Sequence, residues 1–117
     1  MIETWNLTNG ERAVSLEVET ARSWWARFQG LMLRAPLGEG RGLYLEKTNS
    51  IHMCFMRFAI DAVYFDGEGR VVKVVHHLVP WLGLSLSLSA KGCLEMKAGE
   101  AERLGIRVGM FKMKKAE

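Results

Sequence analysis

The sequence predicts an α+β fold dominated by antiparallel strands, a small curled sheet or barrel of about 6–8 short strands with one main helix packed on it. Three observations lead there. Apolar and polar residues alternate with period two in several short runs, one segment alone repeats apolar residues at helical spacing over more than two turns, and no βαβ unit recurs. A chain of 117 residues supports one hydrophobic core, so residues 1–117 are expected to form a single domain.

In chain order, Val14, Leu16 and Val18 alternate with Ser15, Glu17 and Glu19, the pattern of a half-buried strand. Thr20 reads as the N-cap of a helix over ARSWWARFQGLMLR, where Trp24, Phe28, Leu31 and Met32 fall on one face. Gly30 either ends that helix or admits a close backbone. APLGEGRG, with its glycines and proline, is a loop. Strands follow at Leu43 to Glu46 and Ile51 to Met56. A third, Asp61 to Phe65, turns through DGEG (Asp66 to Gly69) into Arg70 to Val75, a hairpin signature. Pro80-Trp81 interrupts the pattern. Leu84, Leu86 and Leu88 then alternate with Ser85, Ser87 and Ser89, which suits an edge strand or an ordered loop equally. Cys93 to Lys97 reads as a strand, Ala98 to Leu104 as a short helix stopped by Gly105, and Val108 to Lys114 as the last strand.

Composition narrows the function classes. Hydrophobic residues make up 49% and charged residues 25%, as in an ordinary globular protein. The longest uncharged run, Val74 to Ala90, is shorter than the roughly 20 apolar residues of a membrane helix and carries two histidines, a proline and alternating serines. MIETWNLTNGER lacks the basic and apolar regions of a signal peptide. A cytoplasmic protein with no membrane partner is expected, and in that compartment Cys54 and Cys93 are expected as buried thiols. The formal charge of +3 is unevenly spread, with acidic residues early and Arg103, Arg107, Lys112, Lys114 and Lys115 late. Lysines guarding a solvated edge strand account for that end, and nucleic acid is not the expected partner. Amides are scarce (Asn6, Asn9, Asn49 and Gln29), a depletion seen in heat-adapted proteins.

Four stretches carry a resemblance: GLM with Arg34, the block IHMCFMRFAIDAVYFDGEGRVVKV, a proline at position 80, and LEMKAGEAERLGIRVG. In that order, from about Val14 to Phe111, the chain resembles the domain-of-unknown-function-192 family of bacteria and archaea. The resemblance implies a small β-rich domain with a helix and brings no established activity. Positions matching the family pattern are Gly30, Leu31, Met32, Arg34, His52, Met56 and Asp61, and later Gly69, Glu95, Ala98, Gly99, Gly105 and Gly109. Lys97 stands where the family usually has proline, Met110 where it has aspartate, and Cys54 where it has an apolar or aromatic residue. Many relatives carry a secretion signal, a pattern this sequence does not show.

IHMCFMRF raises the question of chemistry. On a strand, His52, Cys54 and Met56 share one face, a donor set suited to copper(I) or, with His76, His77 or Cys93 joining, to zinc. HxC lacks the paired spacing of a zinc site, and a run so rich in Met, Phe and Ile is the pattern of a strand buried on both faces. No metal and no cofactor are therefore expected. His52 and Asp61 are candidate acid–base residues, if a turn around Arg57 to Ala59 brings them together. No activated nucleophile accompanies them, so the reading leans away from an enzyme. The leading expectation is an accessory module for a small anionic ligand or a protein partner. Its site would lie where the turn from Gly30 to Arg34 meets the segment from His52 to Asp61, with Gly30, Arg34, Arg57 and Trp81 as contacts. Neighbouring Trp24 and Trp25 cannot share one helix face, so one of them is expected at a rim.

Overall fold

The computed structural model describes residues 2–23, 26, 37–53 and 56–113. Its strands are β1 (Ile2–Thr8), β2 (Ala13–Ala21), β3 (Arg41–Glu46), β4 (Ser50–His52), β5 (Ile60–Phe65), β6 (Val71–Leu78), β7 (Leu84–Leu86), β8 (Gly92–Lys97) and β9 (Phe111–Lys112). A short helix, α1 (Glu100–Leu104), stands between β8 and β9. Seven strands form one curled sheet in the order β6-β5-β8-β3-β2-β1-β9, while β4 and β7 form a separate two-stranded ribbon. The pairs are antiparallel except β2 with β3, which run parallel. Parallel neighbours need a crossover rather than a tight turn, and residues 22–40 supply it.

The expected main helix belongs to that crossover, and residues 24, 25 and 27–36 lie outside the described residues. Its start corrects the expected cap. Thr20 is still inside β2, and Ser23 Oγ accepts the Ala26 N–H at 3.0 Å, the side-chain-to-backbone bond of an N-cap. β1 was not expected, yet its residues obey the same rule as β2. Trp5 and Leu7 are buried while Thr4 and Asn6 are exposed. Asn9 closes the turn into β2, its Oδ1 accepting the N–H groups of Glu11 at 2.9 Å and Arg12 at 2.8 Å.

β5 and β8 are neighbouring interior strands of the sheet and are buried on both faces. Val63, Phe65, Leu94 and Met96 join Trp5, Leu7, Leu16 and Val18 in one cluster. Ile60, Ala62, Tyr64 and Cys93 join Leu43, Leu45, Ile51 and Met53 in the other. That arrangement explains the near-continuous apolar run of IDAVYF, since a strand covered on both sides has no solvent face to alternate with. Each buried Val, Leu, Ile, Met or Phe side chain among them contributes about 1.5–3 kcal/mol by leaving water.

The expected hairpin is present between β5 and β6. Asp66 Oδ1 accepts the N–H groups of Glu68 at 2.9 Å and Arg70 at 3.0 Å, and the Arg70 bond above all holds its carboxyl below the usual range. β9 is shorter than the expected Val108 to Lys114 because a turn through Gly109, at φ 98°, occupies its first residues. Lys114 lies outside the described residues. β9 nevertheless joins two regions. It pairs with β1 through Leu7–Lys112 and Thr8–Phe111, and it reaches the hairpin through an Arg70–Phe111 bridge. The Lys112 N–H donates to Gly69 O at 2.8 Å, so the curled sheet is closed at this end. α1 stops where expected, at Gly105, whose φ of 78° favours glycine.

Candidate functional site

Asp61 sits on β5, an interior strand of the sheet, and is fully buried. β5 pairs with β6 at Ala62–Val75 and at Ile60–Leu78, which leaves His76 and His77 opposite Asp61 in a bulge. His77 takes a φ of 55°, uncommon for a non-glycine residue. Asp61 Oδ1 accepts the His77 N–H at 3.0 Å, and Oδ2 accepts those of Gly99 at 3.0 Å and Ala101 at 2.9 Å. The Ala101 N–H is one of the donors a helix leaves unpaired in its first turn. One carboxylate thus ties the bulge to the start of α1.

His52 occupies a different environment. The expected strand to Met56 ends at His52, and the chain then turns, with the Met56 N–H donating to Met53 O at 3.2 Å. Ile51, Met53 and Met56 are buried, whereas His52 is exposed. The shared face expected of His52, Cys54 and Met56 therefore fails for its outer members, because a turn replaces the strand between them. Cys54 lies outside the described residues, as do Gly30 and Arg34. Arg57 and Trp81 are exposed, and so are His76 and His77. Cys93 is fully buried, and burial pushes its thiol pKa up, so it remains a protonated packing group. Among the described residues no three His, Cys, Asp or Glu side chains gather as a metal-binding set.

The alternating leucines and serines resolve into a strand with an unexpected orientation. β7 pairs with β4 through Ser50–Leu86, Ile51–Ser85 and His52–Leu84. Ser85 points inward, its Oγ 2.6 Å from the Tyr64 hydroxyl. The leucines point outward, with Leu84 70%, Leu86 48% and Leu88 85% exposed. The preceding turn adds Val79, Trp81 and Leu82, the last 86% exposed.

That turn is fixed by its backbone. The Trp81 N–H donates to Met53 O at 2.7 Å, the Met53 N–H to Gly83 O at 3.0 Å, and the Gly83 N–H to Val79 O at 3.0 Å. A Cβ on Gly83 would lie 2.6 Å from Met53 Cγ and 2.9 Å from Val79 O, so the close approach requires glycine. Trp81 is held at φ 68°, a conformation that costs on the order of 1 kcal/mol or more. The result is an apolar display on a rigid base. Between Arg70 and Leu94 the sequence has no Asp or Glu, while Lys73, His76, His77 and Lys91 lie within it. Lys73 Nζ donates to Leu86 O at 2.7 Å, which places one of these cations beside the ribbon. Sequence alternation flagged the segment but could not say which face was inward.

A family profile described as uncharacterized ACR, the domain-of-unknown-function-192 family, matches residues 5–111. The chain belongs to this family. A UPF0127 protein from the thermophile Pyrococcus furiosus is 34% identical over 107 residues, covering 89% of this chain and 90% of that one. Two crystal structures share the fold at 23% identity. One, a Novosphingobium aromaticivorans protein of unknown function, superimposes with a TM-score of 0.85 and covers 97% of this chain and 85% of its own. The other, a Sinorhizobium meliloti protein described as a proposed transcription regulator, gives 0.87 and covers 97% and 93%. In this domain-of-unknown-function-192 protein, the family-pattern residues Asp61 and Gly99 meet in the anchor between bulge and helix. Among the described residues no helix is long and apolar enough to cross a membrane.

Proposed function

We propose that this protein is a non-catalytic binding module that docks a protein partner on the β4–β7 ribbon and the turn preceding it. The observation that carries the reading is the exposure of six large apolar side chains within ten residues, Val79 to Leu88, at 41–86% each. Contiguous apolar surface of this kind marks interaction sites in soluble proteins. Trp81, in the turn, is the anchor, with His52, which pairs with Leu84, and Arg57 as polar contacts. The partner segment presents apolar side chains flanked by carboxylates, because the surrounding stretch from Arg70 to Leu94 carries bases and no acid.

A second copy of the chain fits less well, since it would bring two such acid-free stretches together. A lipid surface also fits less well, because Lys73 and Lys91 fall short of the cluster of about 4–8 basic residues that anionic lipids attract. The engagement of both Asp61 oxygens by backbone N–H groups supports binding over acid–base catalysis.

The test is selection of displayed random peptides on the wild-type protein, with counter-selection on a Leu84→Ser, Leu88→Ser variant. Enrichment of peptides combining Leu, Ile or Phe with Asp or Glu, bound at least tenfold more weakly by the variant, is the expected result. Unpatterned peptides, or peptides indifferent to the variant, would overturn the proposal. So would concentration-dependent dimerisation abolished by the same substitutions, or flotation with phosphatidylserine vesicles.

A further inference from the structure

The closed end of the sheet holds a second feature, separate from the ribbon. A cavity of about 360 Å³ opens where β1, β3, β9 and the β5–β6 hairpin converge. Its volume falls within the range of small-molecule sites, about 300–1,000 Å³. Trp5, Tyr44 and Phe65 form its apolar side. Their rings pack edge to face or tilted, with centroids 4.8 Å apart for Trp5–Tyr44, 5.7 Å for Trp5–Phe65 and 6.0 Å for Tyr44–Phe65. Tyr44 is only half-buried, and at the hairpin the cavity is bordered by Gly67 and Gly69, which put no side chain into it.

The polar side is rich in donors. Lys47, Lys91 and Lys112 line the cavity together with Arg22. Three carboxylates, Glu3, Glu46 and Asp66, also line the cavity, and each is already engaged within the protein. Glu46 receives Arg22 Nε at 3.2 Å, and Asp66 accepts the backbone N–H groups of its own hairpin. Lys112 Nζ rests 4.0 Å from the centre of the Trp5 ring, a cation held over an aromatic face. Trp5 Nε1 is buried and has no hydrogen-bond partner among the described residues.

We infer that this cavity binds a small planar organic anion, an aromatic ring carrying one carboxylate or phosphate. The ring lies against the half-exposed Tyr44, and the oxyanion meets the lysine ammonium groups. Neither a bare anion nor a neutral ring uses both sides of the cavity.

The measurement is a ¹H–¹⁵N titration of the full chain, following the assigned Trp5 indole N–H and the Gly67 and Gly69 amides. The probes are benzoate and phenyl phosphate, with benzyl alcohol and inorganic phosphate as the ring-only and anion-only controls. Saturable shifts at these three signals with benzoate or phenyl phosphate, at least tenfold tighter than either control, are expected. Lys91→Gln and Lys47→Gln, both at the surface, should each weaken binding about tenfold while leaving the melting temperature unchanged. Benzyl alcohol binding as well as benzoate would overturn the inference, as would inorganic phosphate binding as well as phenyl phosphate. Affinity indifferent to both lysines, or no shift up to millimolar probe, would overturn it too.

Discussion

Replacing Asp61 tests the anchor that joins the β6 bulge to α1. Asp61→Ala removes an acceptor from three backbone N–H groups, those of His77, Gly99 and Ala101. The Ala101 bond is buried and the other two are partly buried, so water can relieve the loss at His77 and Gly99 only in part. A buried donor left unpaired costs about 1–3 kcal/mol, and solvent access lowers the figure for the remaining two. The sum is a destabilisation of about 3–5 kcal/mol, in the range reserved for breaking a buried network. For a domain of this size that lowers the melting temperature by roughly 10–20 °C. Asp61→Asn keeps the shape and one acceptor oxygen, but it turns an amide NH₂ toward an N–H. It should cost about half as much. Urea unfolding followed by circular dichroism reads both variants on one scale. A loss under about 1 kcal/mol for Asp61→Ala would refute the reasoning, because three backbone donors at least partly shielded from water would then have lost their acceptor at almost no cost.

Other expectations concern neighbouring features. Leu84→Ser with Leu88→Ser should change the unfolding free energy by no more than about 0.5 kcal/mol, since both side chains already face solvent; chemical denaturation checks this. Gly83→Ala pushes a methyl into Met53 and the Val79 carbonyl and should cost about 1–3 kcal/mol, with increased proteolysis between Val79 and Gly83. Glu100 and Asp66 both have carboxyl pKa values held down, Glu100 mainly by its hydrogen bonds from Arg103. Their stabilisation is fully present above the ordinary values of 4.5 and 3.8 and disappears as the pH falls through the lowered ones. A pH series of melting temperatures should therefore fall on the acid side, and Arg103→Gln should flatten the part due to Glu100.

The elements that were legible in the sequence are those whose cause is local. DGEG specifies its hairpin because the Asp66 carboxylate bonds to N–H groups two and four residues ahead. Gly105 ends α1 through its own φ. β1 has a local signal too, since Trp5 and Leu7 alternate with Thr4 and Asn6 before an Asn-Gly turn, but two apolar residues make a short pattern. Other features depend on distant partners. The parallel pairing of β2 with β3 follows from the crossover rather than from either strand's composition. Asp61 finds its partners 16, 38 and 40 positions away, which no local pattern announces. Ser85 faces inward because Tyr64, from another strand, offers a hydroxyl there. Alternation fixed a period in that segment and left its phase open. The consequence for the site is direct, because the phase decides whether the leucines belong to the core or to a partner.

The pairing of β9 with β1 also has a consequence for how the molecule assembles. Leu7 waits for Lys112, so the contact that closes the sheet spans almost the whole described chain. During synthesis the N-terminal strands emerge first with an open edge, and closure comes only when β9 leaves the ribosome. Contacts of such long sequence separation are slow to form, and until then the edge of β1 is available to other chains. The same adjacency makes the protein a candidate for circular permutation. A short linker from β9 to β1, with new ends cut into the Asp66–Gly69 turn, would let those two strands pair early and would shorten the time that edge stays open.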